Sequence, residues 1–198
     1  MDSLLTYCAK FSPLTGEAAD ELLACTTTKT CKKGGSLLRK SQVCSYIFFI
    51  NEGLLKLSLT RGNKQFVMRF FAENTLFSVF DSYLTQTPSR FTLTALENTN
   101  VTRIGYGDLE SLCKRHHCVE TLFRNVLSVA TTKMTKRISE MLEDSSTERY
   151  QQFVHENEAV MQRISLGDIA NYLGITQQSL SRIRASAHYL TYGKKNNL

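Results

Sequence analysis

The sequence predicts an α+β chain: an antiparallel β unit, then a long helix, then a helix-turn-helix unit. Three observations carry this prediction. Short β-rich runs recur between turn signals from Thr26 to about Ile104. After Gly107 no Gly or Pro interrupts the chain until Gly167, and apolar residues recur at sevenfold spacing. Residues 164–184 then combine two capped helices, a glycine turn and a polar outer face. With 198 residues, 42% hydrophobic and 21% charged, the chain is long enough for more than one small domain and globular in composition.

The first predicted element is a short helix from Thr15-Gly16-Glu17 to Leu23. Thr15 is placed to cap it, and Glu17, Asp20 and Glu21 suit its amino-terminal half. Strands are expected at Tyr46–Ile50, Leu54–Leu59, Gln65–Phe71, Phe91–Leu96 and Asn100–Ile104. Turns at Gly34-Gly35, Asn51-Glu52-Gly53, Arg61-Gly62-Asn63-Lys64 and Gln86-Thr87-Pro88 punctuate this region. Leu55, Leu57 and Leu59 alternate with Lys56, Ser58 and Thr60, the period of a half-buried strand. Strands at this spacing imply an antiparallel barrel or sandwich.

Asp108 is placed to cap the long helix. Leu112, Val119 and Val126 recur every seven residues, as do Leu122 and Val129, and Leu127, Met134 and Met141. The expected helix has about 35 residues and a length of about 50 Å. Such a stripe packs either within the chain or against its own copy. A helix too long for one side of a small barrel favours a coiled-coil homodimer. Asp144-Ser145-Ser146-Thr147 breaks the pattern, and Ser145 with Glu148 has the spacing of a capping box. A new helix is expected from there to about Glu156.

Ser165 is expected to cap a short helix, with Asp168 assisting at its third position. Ile169, Ala170 and Leu173 form its buried face, and small Ala170 lets a second helix cross closely. Gly174 supplies a left-handed turn, Ile175 fills the corner, and Thr176 caps the second helix. On a wheel with Gln177 at zero, Ser181, Gln178 and Arg182 fall at about 40°, 100° and 140°. Leu180 and Ile183 fall on the other side, at about 300° and 240°. One face is therefore apolar, and the other carries two amides, a hydroxyl and a guanidinium. Gln pairs with adenine N6 and N7, and Arg grips guanine O6 and N7 or a phosphate. The pattern fits either a DNA-reading helix-turn-helix or a solvated helical hairpin.

Composition excludes other classes. The longest apolar run, Tyr46–Ile50, is far below the length of a membrane span. Met1-Asp2-Ser3-Leu4 lacks the basic start of a signal peptide, so a cytoplasmic location without a membrane partner is expected. The net charge of +6 is spread: residues 1–107 hold 12 basic and 8 acidic groups, residues 108–144 hold 6 and 6, and residues 145–198 hold 6 and 4. Charge alone therefore assigns no partner. Cys8, Cys25, Cys31 and Cys44 have 16, 5 and 12 residues between them, which is no standard metal spacing. On one helix Cys113 shares a face with His116 and His117, while Cys118 falls about 140° away. No metal and no cofactor are expected. No catalytic order, HExxH or phosphate-cradling glycine loop is present in the sequence, so an enzyme is not expected.

The residues Ile169-Ala170-x-x-Leu173-Gly174-Ile175-Thr176-x-x-x-Leu180-Ser181-Arg182-Ile183-Arg184 closely resemble the DNA-binding signature of the Crp/Fnr regulators, the cyclic-AMP receptor and its relatives. Lys33-Gly34-Gly35 and Tyr46-Ile47-Phe48-Phe49-Ile50-Asn51-Glu52-Gly53 resemble early strands of that family's β-roll sensor, and the long helix matches its dimerisation helix. The resemblance implies a cyclic-nucleotide-binding-like β-roll over residues 1–107, a dimerisation helix over 108–143 and a winged helix-turn-helix domain over 144–198. It implies a homodimer on near-palindromic double-stranded promoter DNA, with RNA polymerase as a further partner of an activator. Gln177, Gln178 and Ser181 would face bases, Arg182 a base or the backbone, and Thr176 would cap among them. Ser165 matches a phosphate-contacting position or is a plain cap. Tyr189 to Tyr192 leaves room only for a stub of the wing strand.

The sensor half departs from the nucleotide-binding pattern. Ser78-Val79 stands where a Gly-Glu pair aligns, and Ser89-Arg90 reverses the usual Arg-Ser. Val79 offers no group to a ribose, and Asp81 is at the wrong spacing. These four residues mark an effector pocket whose small-molecule ligand is unknown and is not expected to be a cyclic nucleotide. The other reading on the same fold is a redox- or metal-responsive regulator acting through its cysteines.

Overall fold

The computed structural model describes residues 2–193. Two amino-terminal helices come first, α1 (Asp2–Ala9) and α2 (Gly16–Ala24). Thr15 caps α2 as its sequence implies, its hydroxyl accepting from the Ala18 amide at 3.2 Å. Eight strands follow: β1 (Thr26–Cys31), β2 (Ser36–Leu38), β3 (Tyr46–Glu52), β4 (Leu55–Arg61), β5 (Lys64–Phe71), β6 (Leu76–Phe77), β7 (Thr92–Ala95) and β8 (Thr99–Gly105). A short helix, α3 (Phe80–Thr85), lies between β6 and β7.

The strands form two four-stranded antiparallel sheets, in the orders β1-β8-β3-β6 and β2-β7-β4-β5. Phe48, Ile50, Leu55, Leu93 and Val101 fill the space between them, all at most 2% exposed. All five strands expected from the sequence are present, with shifts of at most two residues at their ends. The bulge opposite Leu57 and Ser58 lies in β5, where Met68 is the extra residue, while β4 pairs with β7 in unbroken register. Ser58 is buried although it shares a face with Lys56, both side chains meeting Gln65, and Leu59 is only half-buried. At Gly53 the chain has φ +105°, and a Cβ there would lie 2.7 Å from Thr99 Cα. Only glycine fits this turn.

The long helix is divided. Helix α4 (Tyr106–Arg115) ends at His116, whose φ of −126° and ψ of 103° are extended, and α5 (His117–Glu143) begins at once. Asp108 is not the cap. Gly105 holds that position, with Asp108 in the first turn. The α5 helix has 27 residues, about 40 Å. The break is held from outside, because Arg115 and His116 both meet Glu21 of α2, His116 Nε2 at 3.1 Å. The apolar series also divides. Leu112, Val119, Leu122 and Val126 are at most 4% exposed and join the sensor core, so this stripe packs within the chain. Met134, Ile138, Met141 and Leu142 are 56%, 56%, 44% and 80% exposed.

The carboxy-terminal unit consists of α6 (Ser146–Glu156), a 3₁₀ turn (Glu158–Arg163), α7 (Leu166–Leu173) and α8 (Gln177–Gly193). Ser145 and Glu148 form the expected capping box. The expected wing stub is corrected: the backbone of residues 189–192 continues α8. Arg184-Ala185-Ser186-Ala187 contains good helix formers, which carry the helix onward.

Candidate nucleic-acid interface

Ser165 caps α7 by accepting from the Asp168 amide at 3.1 Å. Ile169, Ala170 and Leu173 are at most 2% exposed. Gly174 then adopts φ +73°, and the Ile175 amide donates to the Ala170 carbonyl at 3.0 Å. This closes α7 and redirects the chain. The Thr176 hydroxyl accepts from the Ser179 amide at 3.1 Å, capping α8. Leu180 is buried against α7 and Ile183 is half-buried.

The opposite face of α8 is open. Thr176, Gln177, Gln178, Ser181 and Arg182 are all exposed, as is Ser165. Gln177 differs from its neighbours in direction. A Cβ built on Gly167 would lie 2.8 Å from Gln177 Nε2, so this amide lies over the first turn of α7. Gln178, Ser181 and Arg182 sit on the exposed face without such a contact.

Residues distant in sequence hold this unit in place. Phe70 of β5 packs on Phe153 at 5.9 Å and on Tyr172 at 5.6 Å between ring centres. Leu54 of the sensor is fully buried in the same cluster as Leu173 and Leu180. Lys56 of β4 forms an ion pair with Asp168, both side chains being nearly buried. Arg163 donates to Glu73 at 2.6 and 3.0 Å and also pairs with Glu97. The Arg163 guanidinium holds the Glu73 carboxyl down to about 2, and the two carboxylates push the arginine further up. Arg137 of α5 lies 3.9 Å from the Tyr172 ring centre and donates to the Tyr172 carbonyl. The sequence reading missed all of these. The hydrogen bonds and ion pairs among them join positions 35 to 112 residues apart, where no local pattern reports a partner.

The four residues expected to mark an effector pocket are less open. Ser78 donates to the Tyr46 carbonyl at 2.8 Å and Val79 is 1% exposed. Ser89 is buried and accepts from the Phe91 amide at 3.0 Å. Arg90 is exposed, 5.5 Å from the Phe91 ring centre. The space between the sheets is occupied by aromatic rings, Phe71 on Phe77 at 3.9 Å and Phe48 on Phe77 at 5.6 Å. A small void of about 20 Å³ has an apolar lining that includes Leu4, Ile47 and Leu122. Burial raises the thiols of Cys8 to about 12 and Cys113 to about 11, and raises those of Cys25 and Cys31. No cluster of metal-ligating side chains occurs among the described residues.

Along α5 an open groove of about 570 Å³ is lined by Glu120, Phe123, Arg124, Leu127, Ser128 and Thr131. Further along the same helix, Met134, Ile138 and Met141 are exposed. Among the described residues no helix is long and apolar enough to cross a membrane.

Residues 28–116 match the cyclic nucleotide-binding domain family. No curated protein sequence matches the chain. Solved structures do. FixK2 from Bradyrhizobium japonicum is 16% identical with a TM-score of 0.74, the match covering 84% of this chain and 86% of that one. The c-di-GMP responsive global regulator CLP of Xanthomonas campestris is 13% identical with a TM-score of 0.68, covering 88% and 92%. A protein from Eubacterium rectale described as a transcriptional regulator of the Crp/Fnr family is 16% identical with a TM-score of 0.70, covering 91% and 85%. Residues 28–116 are therefore similar to a cyclic nucleotide-binding domain, and the chain as a whole shares the fold of these solved structures.

Proposed function

We propose that this chain is a homodimeric, sequence-specific DNA-binding transcription regulator, and not an enzyme. The observation that carries the proposal is the open polar face of α8, with Gln178, Ser181 and Arg182 exposed on a helix whose other face is buried. Gln177 and Ser165 serve the same interface from the first turns of α8 and α7. The division is a sensor over residues 1–107, a dimerisation segment over 108–143 and a DNA-binding domain over 144–198. Apolar side chains left in water along α5 support self-association.

The sensor has an unknown effector or none, and a cyclic nucleotide is not it. The buried Val79 and the hydrogen bonds already made by Ser78 and Ser89 support this reading. The cysteine-based alternative gains no support, since burial favours neutral thiols over reactive thiolates.

An unbiased selection of genomic DNA fragments on the purified protein, at stated salt, tests the proposal. A near-palindrome is expected, with half-sites roughly 34–36 Å apart, one turn of DNA. The double variant Gln177→Ala/Gln178→Ala should relax the base preference by about 1–3 kcal/mol per contacted pair. A variant with the wild-type preference would remove α8 as the reading element.

A further inference from the structure

We infer that Lys56, a residue of the sensor sheet, completes the DNA interface by neutralising Asp168 at the amino-terminal end of α7. This rests on the DNA-binding reading above. Asp168 lies one turn inside the helix end that Ser165 caps. Its two oxygens have different partners: one pairs with Lys56 Nζ, and the other accepts the Ser165 hydroxyl at 2.9 Å. Ser165 is exposed, so this helix end faces outward beside α8. A helix amino terminus attracts a phosphate, but an unpaired carboxylate in the same turn repels it. The charge that cancels Asp168 comes from a strand 112 residues earlier in the chain.

The geometry makes this cancellation depend on docking. Lys56 is itself steadied by Gln65, whose Oε1 accepts from Nζ at 3.3 Å. The side chains of Lys56 and Asp168 are 13% and 12% exposed, so water screens the pair poorly. Phe70 between Phe153 and Tyr172, and Arg163 on Glu73 and Glu97, keep the sensor sheet against α7. With the sheet in place, the end of α7 receives a phosphate without an opposing charge. With the sheet displaced, Asp168 faces the DNA unpaired. Lys56 is thus a positioning residue through which the sensor sets DNA affinity.

Full-length variants on the fragment selected by the wild type test this. Lys56→Met should weaken binding by about tenfold or more, since it leaves a nearly buried charge unpaired. The loss should narrow as salt rises. Lys56→Arg should bind like the wild type. Asp168→Asn keeps an acceptor for Ser165, and Lys56→Met/Asp168→Asn should return to within about threefold of the wild type. A plain interdomain bridge gives the opposite result: Asp168→Asn would weaken binding as Lys56→Met does, and the double variant would not recover. That result, or an unchanged Lys56→Met, overturns the inference.

Amide exchange within α7 provides a readout without DNA. It should quicken in Lys56→Met and slow again in the double variant, and unchanged exchange in Lys56→Met removes the docking argument. A folded wild-type dimer that enriches no sequence fails the DNA-binding reading itself, and the inference falls with it.

Discussion

Single glycines set two of the chain's sharpest constraints, and they differ in kind. Gly174 has φ +73°, and a Cβ there would meet only the Met141 methyl, at 3.4 Å. Gly174→Val therefore meets conformational strain with little clash. It should cost about 1–3 kcal/mol, measured by urea unfolding. At Gly53 the positive φ comes with backbone contact, the built Cβ lying 2.7 Å from Thr99 Cα. Backbone cannot yield as a methionine end does. Gly53→Ala should cost about 3 kcal/mol or more and abolish soluble expression if stability is ordinary. The exposed polar residues of α8 were legible in the sequence at this scale. Gln178, Ser181 and Arg182 are exposed as the wheel places them, because a helix face follows from spacing alone. The direction of the Gln177 amide was not legible, since it depends on the neighbouring helix that carries Gly167.

Among the elements, α5 has two faces with opposite tasks. Val126 is 4% exposed in the sensor core, whereas Ile138 is 56% exposed three turns later. A charge at each position separates the tasks. Val126→Glu buries an unpaired carboxylate and should unfold the chain. Ile138→Glu should leave helicity and melting of the protomer intact but weaken the dimer by at least about tenfold, read by sedimentation. If Ile138→Glu left the dimer unchanged, that surface would not be the interface. The sevenfold spacing showed an apolar helix but could not assign its faces. Leu112, Val119 and Val126 carry the same signal as Leu127, Met134 and Met141. Which series is covered depends on where the sheets lie.

For the whole molecule, the docking of the helix-turn-helix on the sensor is partly electrostatic and has a defined pH range. Glu73 is held at about 2, below its ordinary 4.5, mainly by hydrogen bonds from Arg163. A carboxyl lowered in the folded state contributes stability above its unfolded value and loses it as pH falls through the folded one. The contribution of the Arg163–Glu73 pair is thus fully present above about 4.5 and lost toward pH 2. Unfolding midpoints of the wild type and Arg163→Met should differ by a constant amount at neutral pH and converge toward pH 2. The side chains are 29% and 31% exposed, so the difference is modest and shrinks with salt. A gap that persisted at pH 2 would assign the effect of Arg163 to packing.

The sequence by itself determined what depends on local spacing. Five of the eight strands, the Ser145, Ser165 and Thr176 caps, the Gly174 turn and the polar face of α8 all follow from residues within a few positions of each other. Local hydrogen bonding and side-chain periodicity are short-range physics, and a pattern records them directly. Tertiary structure alone decided the break at His116, where Glu21 of a distant helix holds Arg115 and His116. It also decided the bulge in β5, the burial of Ser58, the covering of Val119 and Val126, and the pairing of Lys56 with Asp168. These contacts join segments that only folding brings together. Their energies come from burial and from charge at close range, and neither leaves a periodic trace along the chain.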